Sequence, residues 1–193
     1  MALDKKILKD LVQTGKEINR YGLIIGEGGN ISARSGNIVY IKRRAALMGK
    51  AKVTDYIPLE IKKGKPLRKS DRPSTEAYLH LACYRAREDI GAVIHTHPVF
   101  ATALGTAGVD IKPFSYEMAV NLKSYLARIG HIKAGTAELG EAVGRAIRRH
   151  NAVLLKNHGL VTVGKNLQEA LLRALAIERA ALTYIACKIL GKV

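Results

Sequence analysis

Three histidines are the side chains whose type and spacing best suit chemistry. His95 and His97 stand two residues apart at the end of an apolar run. On an extended strand, residues i and i+2 point to the same face, so both imidazoles can meet one metal ion. His158 lies in the turn sequence Asn157-His158-Gly159 between two apolar runs. Three histidines with an open fourth position form a catalytic zinc arrangement. Polar residues at a strand end and a hydrogen-bonded turn are the structural alternatives.

Glu76 is the candidate acid or base. It lies in Pro73-Ser74-Thr75-Glu76, a segment that predicts the first turn of a helix. The helix dipole favours a carboxylate at that end. Ser74 and Thr75 add hydroxyls beside the free backbone N–H groups, so the same turn could bind an anion. A plain helix-start glutamate and ordinary capping are the alternatives.

Two further segments could also hold an anion. Gly29 and Asn30 combine close backbone approach with an amide donor, although a glycine pair also suits a simple turn. The basic run Lys42-Arg43-Arg44 follows a predicted strand. Because neighbouring strand residues alternate faces, we expect Lys42 and Arg44 to share a face and Arg43 to stand alone.

Composition narrows the class of protein. The 193 residues are 48% hydrophobic and 25% charged, which is typical of a globular domain. The net charge of +16 invites a nucleic-acid partner, but the basic residues are scattered and Trp is absent, so none is expected. No stretch approaches the roughly 20 apolar residues that span a bilayer, so no membrane partner is expected. Two cysteines in apolar segments suggest free thiols and a cytoplasmic location.

Hydrophobic patterning predicts an α/β fold. We expect one domain over residues 1–193, with a central, mostly antiparallel sheet and helices on both faces. Strands are predicted over 31–33, 38–41, 56–61, 92–95, 152–155 and 160–163. Helices are predicted over 4–21, 73–87, 100–104 and 136–150, followed by a long helix from Asn166 with Leu171, Leu175, Leu182, Ile185 and Ile189 on one face.

The order of these motifs resembles the class II aldolase/adducin family over about residues 5–190. The resemblance implies one Zn²⁺ held by His95, His97 and His158, with Glu76 transferring protons and also contacting the metal. It implies phosphate binding by Gly29, Asn30, Ser74 and Thr75. It also implies a homotetramer and a catalytic hydroxyl on Tyr116 that serves the aldehyde half of the substrate; packing in the core is the alternative for Tyr116.

The resemblance also implies the reaction. We expect an aldolase that cleaves a ketose 1-phosphate, such as fuculose 1-phosphate, into dihydroxyacetone phosphate and a small aldehyde such as lactaldehyde, or forms the ketose 1-phosphate from these two compounds. The family's Thr-Pro-Thr-Gly loop is missing after the second strand, where Lys42, Arg43 and Arg44 stand instead. They either bind phosphate by charge or form a solvated surface. A pentulose-phosphate 4-epimerase, a methylthioribulose-phosphate dehydratase and a structural adducin-like protein are the alternatives.

Overall fold

A seven-stranded sheet forms the middle layer of the structure, a computed structural model that describes residues 4–110, 115–122 and 126–191. The strands are β1 (Asn30–Ser35), β2 (Ile38–Lys42), β3 (Tyr56–Glu60), β4 (Ala92–Thr96), β5 (Ala127–Ile129), β6 (Ala152–Leu155) and β7 (Gly159–Gly164). The helices are α1 (Lys5–Arg20), α2 (Ala77–Ala86), α3 (Val99–Ala107), α4 (Tyr116–Leu122), α5 (Ala137–Ile147) and α6 (Leu167–Ile189).

The strand order places β4 at the centre of the sheet. The order is β3-β2-β1-β4-β7-β6-β5, and each neighbouring pair is antiparallel except β5 with β6. Within β4, His95 pairs with Asn30 of β1 and with Val161 of β7. The predicted fold class, a single α/β domain with a mostly antiparallel sheet, is therefore confirmed.

Helices cover both faces of the sheet, and each face has its own apolar core. Helices α1, α3, α4 and α6 share one core with side chains such as Ile94, while α2 and α5 share the other with side chains such as Val93. This split follows from the two-residue period of the strands. His95 is two residues beyond Val93 and therefore lies on the α2 side. Within the described ranges, no helix has both the length and the apolar character needed to cross a membrane.

Two helix starts form where the capping residues predicted them. The Thr136 side chain accepts from the Leu139 backbone N–H at the start of α5. The Asn166 side chain accepts from the Glu169 backbone N–H at the start of α6. Each contact satisfies a helix N–H that has no partner within the helix.

The predicted start of α2 is wrong by about one turn. Residues 73–76 are not helical, and Glu76 is the N-cap of α2 rather than part of its first turn. The Ser74 backbone N–H donates to the Lys42 carbonyl at 3.0 Å, and Pro73 forms a bridge with Arg43. This pairing with the end of β2 holds the segment extended, because its backbone groups are used outside the helix.

Three further features differ from the sequence expectation. Helix α4 and strand β5 were not predicted, since both are short and lack a full period of apolar residues. The predicted apolar face of α6 is wrong at Leu182 and Ile189, which are 44% and 81% exposed. Alanines such as Ala174 and Ala181 occupy the buried face instead, because small side chains let α6 lie close to its neighbours.

Replacing Gly91 with alanine should destabilise the centre of the sheet. A Cβ at Gly91 would lie 2.0 Å from the Lys165 carbonyl oxygen, a backbone atom that cannot move without shifting β7. We expect a loss of roughly 2–3 kcal/mol in the free energy of unfolding, measured by denaturant titration. Gly130→Ala is the matched control, because a Cβ there meets nothing within 4 Å. Equal stability of the two variants would contradict the close approach.

Candidate active site

The three histidines predicted from the sequence converge at the end of β4. The Nε2 atom of His95 lies 3.1 Å from Nε2 of His97 and 3.2 Å from Nε2 of His158. His97 immediately follows β4, whereas His158 comes from the turn between β6 and β7. Asn157 allows this turn by adopting a left-handed backbone with φ of 58°, which asparagine tolerates well.

The hydrogen bonding of His95 shows which of its two ring nitrogens carries the proton and which presents a lone pair to the cluster. Its Nδ1 lies 3.1 Å from the Leu160 carbonyl oxygen, which can only accept, so Nδ1 carries the proton. The Nε2 lone pair of a neutral His95 then points at two other imidazole nitrogens. Metal-binding histidines characteristically donate their second nitrogen to a carbonyl in this way.

The donor set fits a metal ion. Ligand atoms around a tetrahedral zinc lie about 3.3 Å apart, as follows from Zn–N bonds of about 2.0–2.1 Å. The contacts from His95 to His97 and His158 measure 3.1 and 3.2 Å. The three histidines together form a group that could hold a metal. Converging lone pairs of neutral imidazoles repel one another, and a cation among them removes that repulsion.

Glu76 faces the same cluster from the start of α2. Its Oε2 lies 3.2 Å from Nε2 of His95 and accepts from the Asn30 side-chain amide at 2.9 Å. Its Oε1 lies 3.3 Å from Nε2 of His158 and has no hydrogen-bond partner among the described residues. Burial raises the pKa of Glu76, but the neighbouring His95 and the hydrogen bond from Asn30 lower it overall. The carboxylate is therefore charged at neutral pH.

Burial keeps two of the histidines neutral at neutral pH. Burial, followed by the charge of His95, lowers the pKa of His97 to about 4. The same two causes lower the pKa of His158. A neutral imidazole is the protonation state that can bind a metal.

A cleft of about 390 Å³ opens above the cluster and collects most of the predicted site residues. Gly29 lines it with φ of +67°, and a Cβ there would lie 2.7 Å from the His95 carbonyl oxygen. Only glycine avoids both the strain and this contact. The other predicted residues along the cleft are Asn30, Lys42, Arg43, Arg44, Ser74, Thr75, Glu76, His97 and His158.

The basic run is arranged differently from the prediction. Strand β2 ends at Lys42, Arg43 still bridges to Pro73, and Lys42, Arg43 and Arg44 all line the cleft. Lys42 is buried, and its ammonium donates to the carbonyls of Glu27 at 3.0 Å and Ala46 at 2.8 Å. The prediction that Arg43 stands apart from its neighbours is wrong, because the chain turns at Arg44 and Ala45, directly after the bridge between Arg43 and Pro73.

Arg43 and Arg44 are the more exposed members of the run. Arg43 lies 3.9 Å from Asp55, a loose ion pair with a side chain that is 46% exposed. Such a pair contributes little and can be exchanged for an anionic ligand. Lys42 instead ties together two loops beside the cleft, and burial lowers its pKa.

Two predicted site residues lie in unexpected surroundings. Tyr116 begins α4, is 81% exposed and is not among the residues that line the cleft. Helix α4 packs against α6, on the sheet face opposite α2. The catalytic role of Tyr116 stays a prediction. Asn30 lines the cleft, but one of its amide hydrogens is already donated to Glu76.

Sequence reasoning missed His80, which lies behind the site. His80 is fully buried, with Nδ1 2.7 Å from the Ser32 hydroxyl and Nε2 hydrogen-bonded to the Asn30 amide oxygen. Burial, followed by the charge of His95, lowers its pKa to about 3, so its ring is neutral. The four-residue spacing of Glu76, His80 and Tyr84 was the available signal, because it places them on one side of a helix.

Comparisons with known proteins agree with this arrangement. Residues 9–185 match the family model described as the class II aldolase and adducin N-terminal domain. A 5-methylthioribulose-1-phosphate/5-deoxyribulose-1-phosphate aldolase from Escherichia coli O45:K1 is 34% identical and covers 94% of this chain and 84% of its own. An L-fuculose phosphate aldolase from Methanocaldococcus jannaschii is 30% identical, covering 90% and 92%.

A solved structure leads to the same assignment. An L-fuculose 1-phosphate aldolase superimposes with a TM-score of 0.88 at 28% identity, covering 98% of this chain and 89% of its own. The relatives are named aldolases, so the expected class of enzyme, a lyase of the aldolase type, is confirmed. The match over residues 9–185, together with these relatives, shows that the chain belongs to the class II aldolase and adducin N-terminal domain family.

Proposed function

We propose that this protein is a zinc-dependent aldolase that cleaves or forms a ketose 1-phosphate, with dihydroxyacetone phosphate and an aldehyde on the other side of the reaction. The observation that carries the proposal is the meeting of His95, His97, His158 and Glu76 at the floor of a basic cleft. Reaction of a phosphorylated ketone requires ligands for a metal, a base and groups that bind phosphate. The three imidazoles, the carboxylate and the nearby cations supply these in turn.

The metal and Glu76 have separate parts in this proposal. A zinc ion held by the three histidines would act as a Lewis acid toward the ketone and hydroxyl oxygens of the substrate. Glu76 takes the proton from the carbon next to the ketone and returns it in the reverse direction, with Oε1 as the available oxygen. Asn30 holds Oε2, so the carboxylate keeps one orientation toward the cleft.

The proposed phosphate site is formed by other residues that line the same cleft. The backbone at Gly29 and the hydroxyls of Ser74 and Thr75 supply donors, and Asn30 has a second amide hydrogen. Arg43 and Arg44 supply charge where the family's loop is missing. We propose that these groups select a phosphorylated substrate over a neutral sugar.

The aldehyde half is the less constrained part of the substrate. The M. jannaschii relative is named for fuculose phosphate, whose cleavage gives lactaldehyde. The E. coli relative is named for two pentulose phosphates that lack the 5-hydroxyl, whose cleavage gives smaller or thioether aldehydes. Incubating zinc-loaded protein with dihydroxyacetone phosphate and this panel of aldehydes would decide between them. No product with any aldehyde would overturn the proposed function.

The alternative functions fit the site less well than an aldolase does. An epimerase would use the same metal scaffold with an extra acid, but no aspartate lies in residues 113–120 and only Glu117 is an acid there. A structural adducin-like protein would have no use for a buried cluster of three histidines and a carboxylate. We extend the proposal to a cytoplasmic homotetramer, in which Tyr116 would serve the aldehyde half.

Metal content tests the ligand set without reference to activity. We expect one zinc per chain in protein loaded after treatment with a chelator, and at least about tenfold weaker binding in His97→Ala, because three protein ligands leave little redundancy. Elemental analysis and zinc titration measure both. His131→Ala is the control, since His131 is exposed and lies outside the cluster. Wild-type protein that takes up no zinc would contradict the proposal.

Glu76→Gln should keep the metal but slow the chemistry. The amide is nearly isosteric and cannot carry the proton, so we expect the exchange of the dihydroxyacetone phosphate proton with solvent deuterium to fall by roughly 10²-fold or more. Nuclear magnetic resonance follows the exchange. Glu117→Gln makes the same change at an exposed position of helix α4 and should leave the exchange rate unchanged. An unaffected Glu76→Gln would move the role to Glu117 or Tyr116.

Charge deletions in the cleft should weaken phosphate selection. A hydrogen bond to a charged group contributes about 1.5–3 kcal/mol. Arg43→Ala or Arg44→Ala should therefore weaken the affinity for a phosphorylated ketose by roughly 10- to 150-fold. Ser74→Ala is the comparison for geometry without charge, and Lys42→Met removes the cation that holds two loops. Affinity is measured with phosphorylated and unphosphorylated ketose. If neither arginine matters, the run is a solvated surface.

A further inference from the structure

A line of four buried polar side chains connects the site with the middle of the sheet. Asn30 and Ser32 stand two residues apart on β1, and His80 and Tyr84 stand four apart on α2. They are 3%, 0%, 0% and 1% exposed. The periods of strand and helix bring the two pairs face to face, and we call these four residues the polar row.

Contacts within the polar row are continuous up to the candidate acid. The Tyr84 hydroxyl lies 2.8 Å from the Ser32 hydroxyl, which lies 2.7 Å from Nδ1 of His80. Nε2 of His80 meets the Asn30 amide oxygen, and the Asn30 amide nitrogen donates to Glu76 at 2.9 Å. Ser32, His80 and Asn30 each have partners on both sides, so changing the Tyr84 end alters the hydrogen bonds available to the next member.

The direction of donation follows from the inventory of donors. The Asn30 amide has its nitrogen on Oε2 of Glu76 and its oxygen on Nε2 of His80, and that oxygen can only accept. His80 must then carry its proton on Nε2, which leaves Nδ1 as an acceptor for the Ser32 hydroxyl. Ser32 has no second proton, so the Tyr84 hydroxyl donates to it. Every donor in the row points toward the site.

We propose that the polar row locks His80 in the Nε2–H tautomer and thereby holds the Asn30 amide with its nitrogen on Glu76. His80 is then a positioning residue: it touches no reacting atom, but it prevents the Asn30 amide from turning its oxygen toward the carboxylate. With Oε2 held in this way, the carboxylate keeps Oε1 on the side of the metal-binding histidines, 3.3 Å from Nε2 of His158 and without a hydrogen-bond partner among the described residues. This rests on the proposed role of Glu76 in proton transfer.

The opposite polarity gives the competing hypothesis. If Glu76 carried a proton, it could donate to the Asn30 oxygen, and the whole row could run the other way with His80 protonated on Nδ1. The orientation of the Asn30 amide, whose nitrogen lies 2.9 Å from Oε2 of Glu76 and whose oxygen faces His80, favours the first polarity. The tautomer of His80 therefore distinguishes the two.

The first measurement is the His80 tautomer in zinc-loaded, ¹⁵N-histidine-labelled protein. Long-range proton–nitrogen correlation spectra distinguish a neutral ring protonated on Nε2 from one protonated on Nδ1, and His80→Gln identifies the signal. We expect the Nε2–H form. The Nδ1–H form or a charged ring would overturn the proposal. This readout needs no activity, so it decides the polarity even if the proposed reaction fails.

The second measurement separates positioning from stability. Tyr84→Phe removes the outermost donor, and Tyr56→Phe removes an equally buried hydroxyl that donates to the Leu11 carbonyl at 2.9 Å, away from the site. We expect kcat for the exchange of the dihydroxyacetone phosphate proton to fall about threefold in Tyr84→Phe and about tenfold in His80→Gln, with KM unchanged. Tyr56→Phe should keep the wild-type rate.

The outcomes of the second measurement are distinct. If Tyr84→Phe and His80→Gln keep the kcat of Tyr56→Phe and lose only stability, the polar row is structural and the proposal is overturned. A change in KM alone would also overturn it, because positioning of Glu76 acts on the chemical step. If wild-type protein exchanges no proton, the proposed function fails, and the tautomer alone decides the inference.

Discussion

The arrangement of this site depends on one electrostatic constraint: three imidazole nitrogens and a carboxylate meet in a largely buried space, where a cation would satisfy them together. His95 donates Nδ1 to a backbone carbonyl and has to present its lone pair to His97 and His158. Taking such groups out of water without a partner is unfavourable, so the fold has to fix them rigidly. The central strand β4, paired on both sides, supplies that rigidity.

The same constraint explains the construction around the cluster. Gly29 brings its backbone against the His95 carbonyl, where a side chain would collide. Lys42 is buried to tie two loops along the cleft, and its donors end on carbonyls. Glu76 reaches the histidines from the cap position of α2, because Pro73 and Ser74 pair with the end of β2 and the helix begins only at Ala77. Strand, loop and helix each supply a separate part of the site.

Polar groups behind the site are as well ordered as those within it. Buried hydroxyls and imidazoles need partners, and here the partners form a directional series from Tyr84 to Asn30. A core that only had to be stable would use apolar residues at Ser32 and His80. Their presence links the packing of α2 on the sheet to the orientation of Glu76, and so joins fold to chemistry.

The sequence by itself determined the periodic elements, the α/β class and the candidate ligands, because apolar spacing and the motif around His95, His97 and His158 are local properties. It also predicted the caps Thr136 and Asn166. Tertiary structure alone decided the start of α2, the direction of the Lys42-Arg43-Arg44 run and the exposure of Tyr116, since each depends on pairing between distant segments. His80 became visible only when β1 and α2 were brought together, because its partners lie about fifty residues away along the chain.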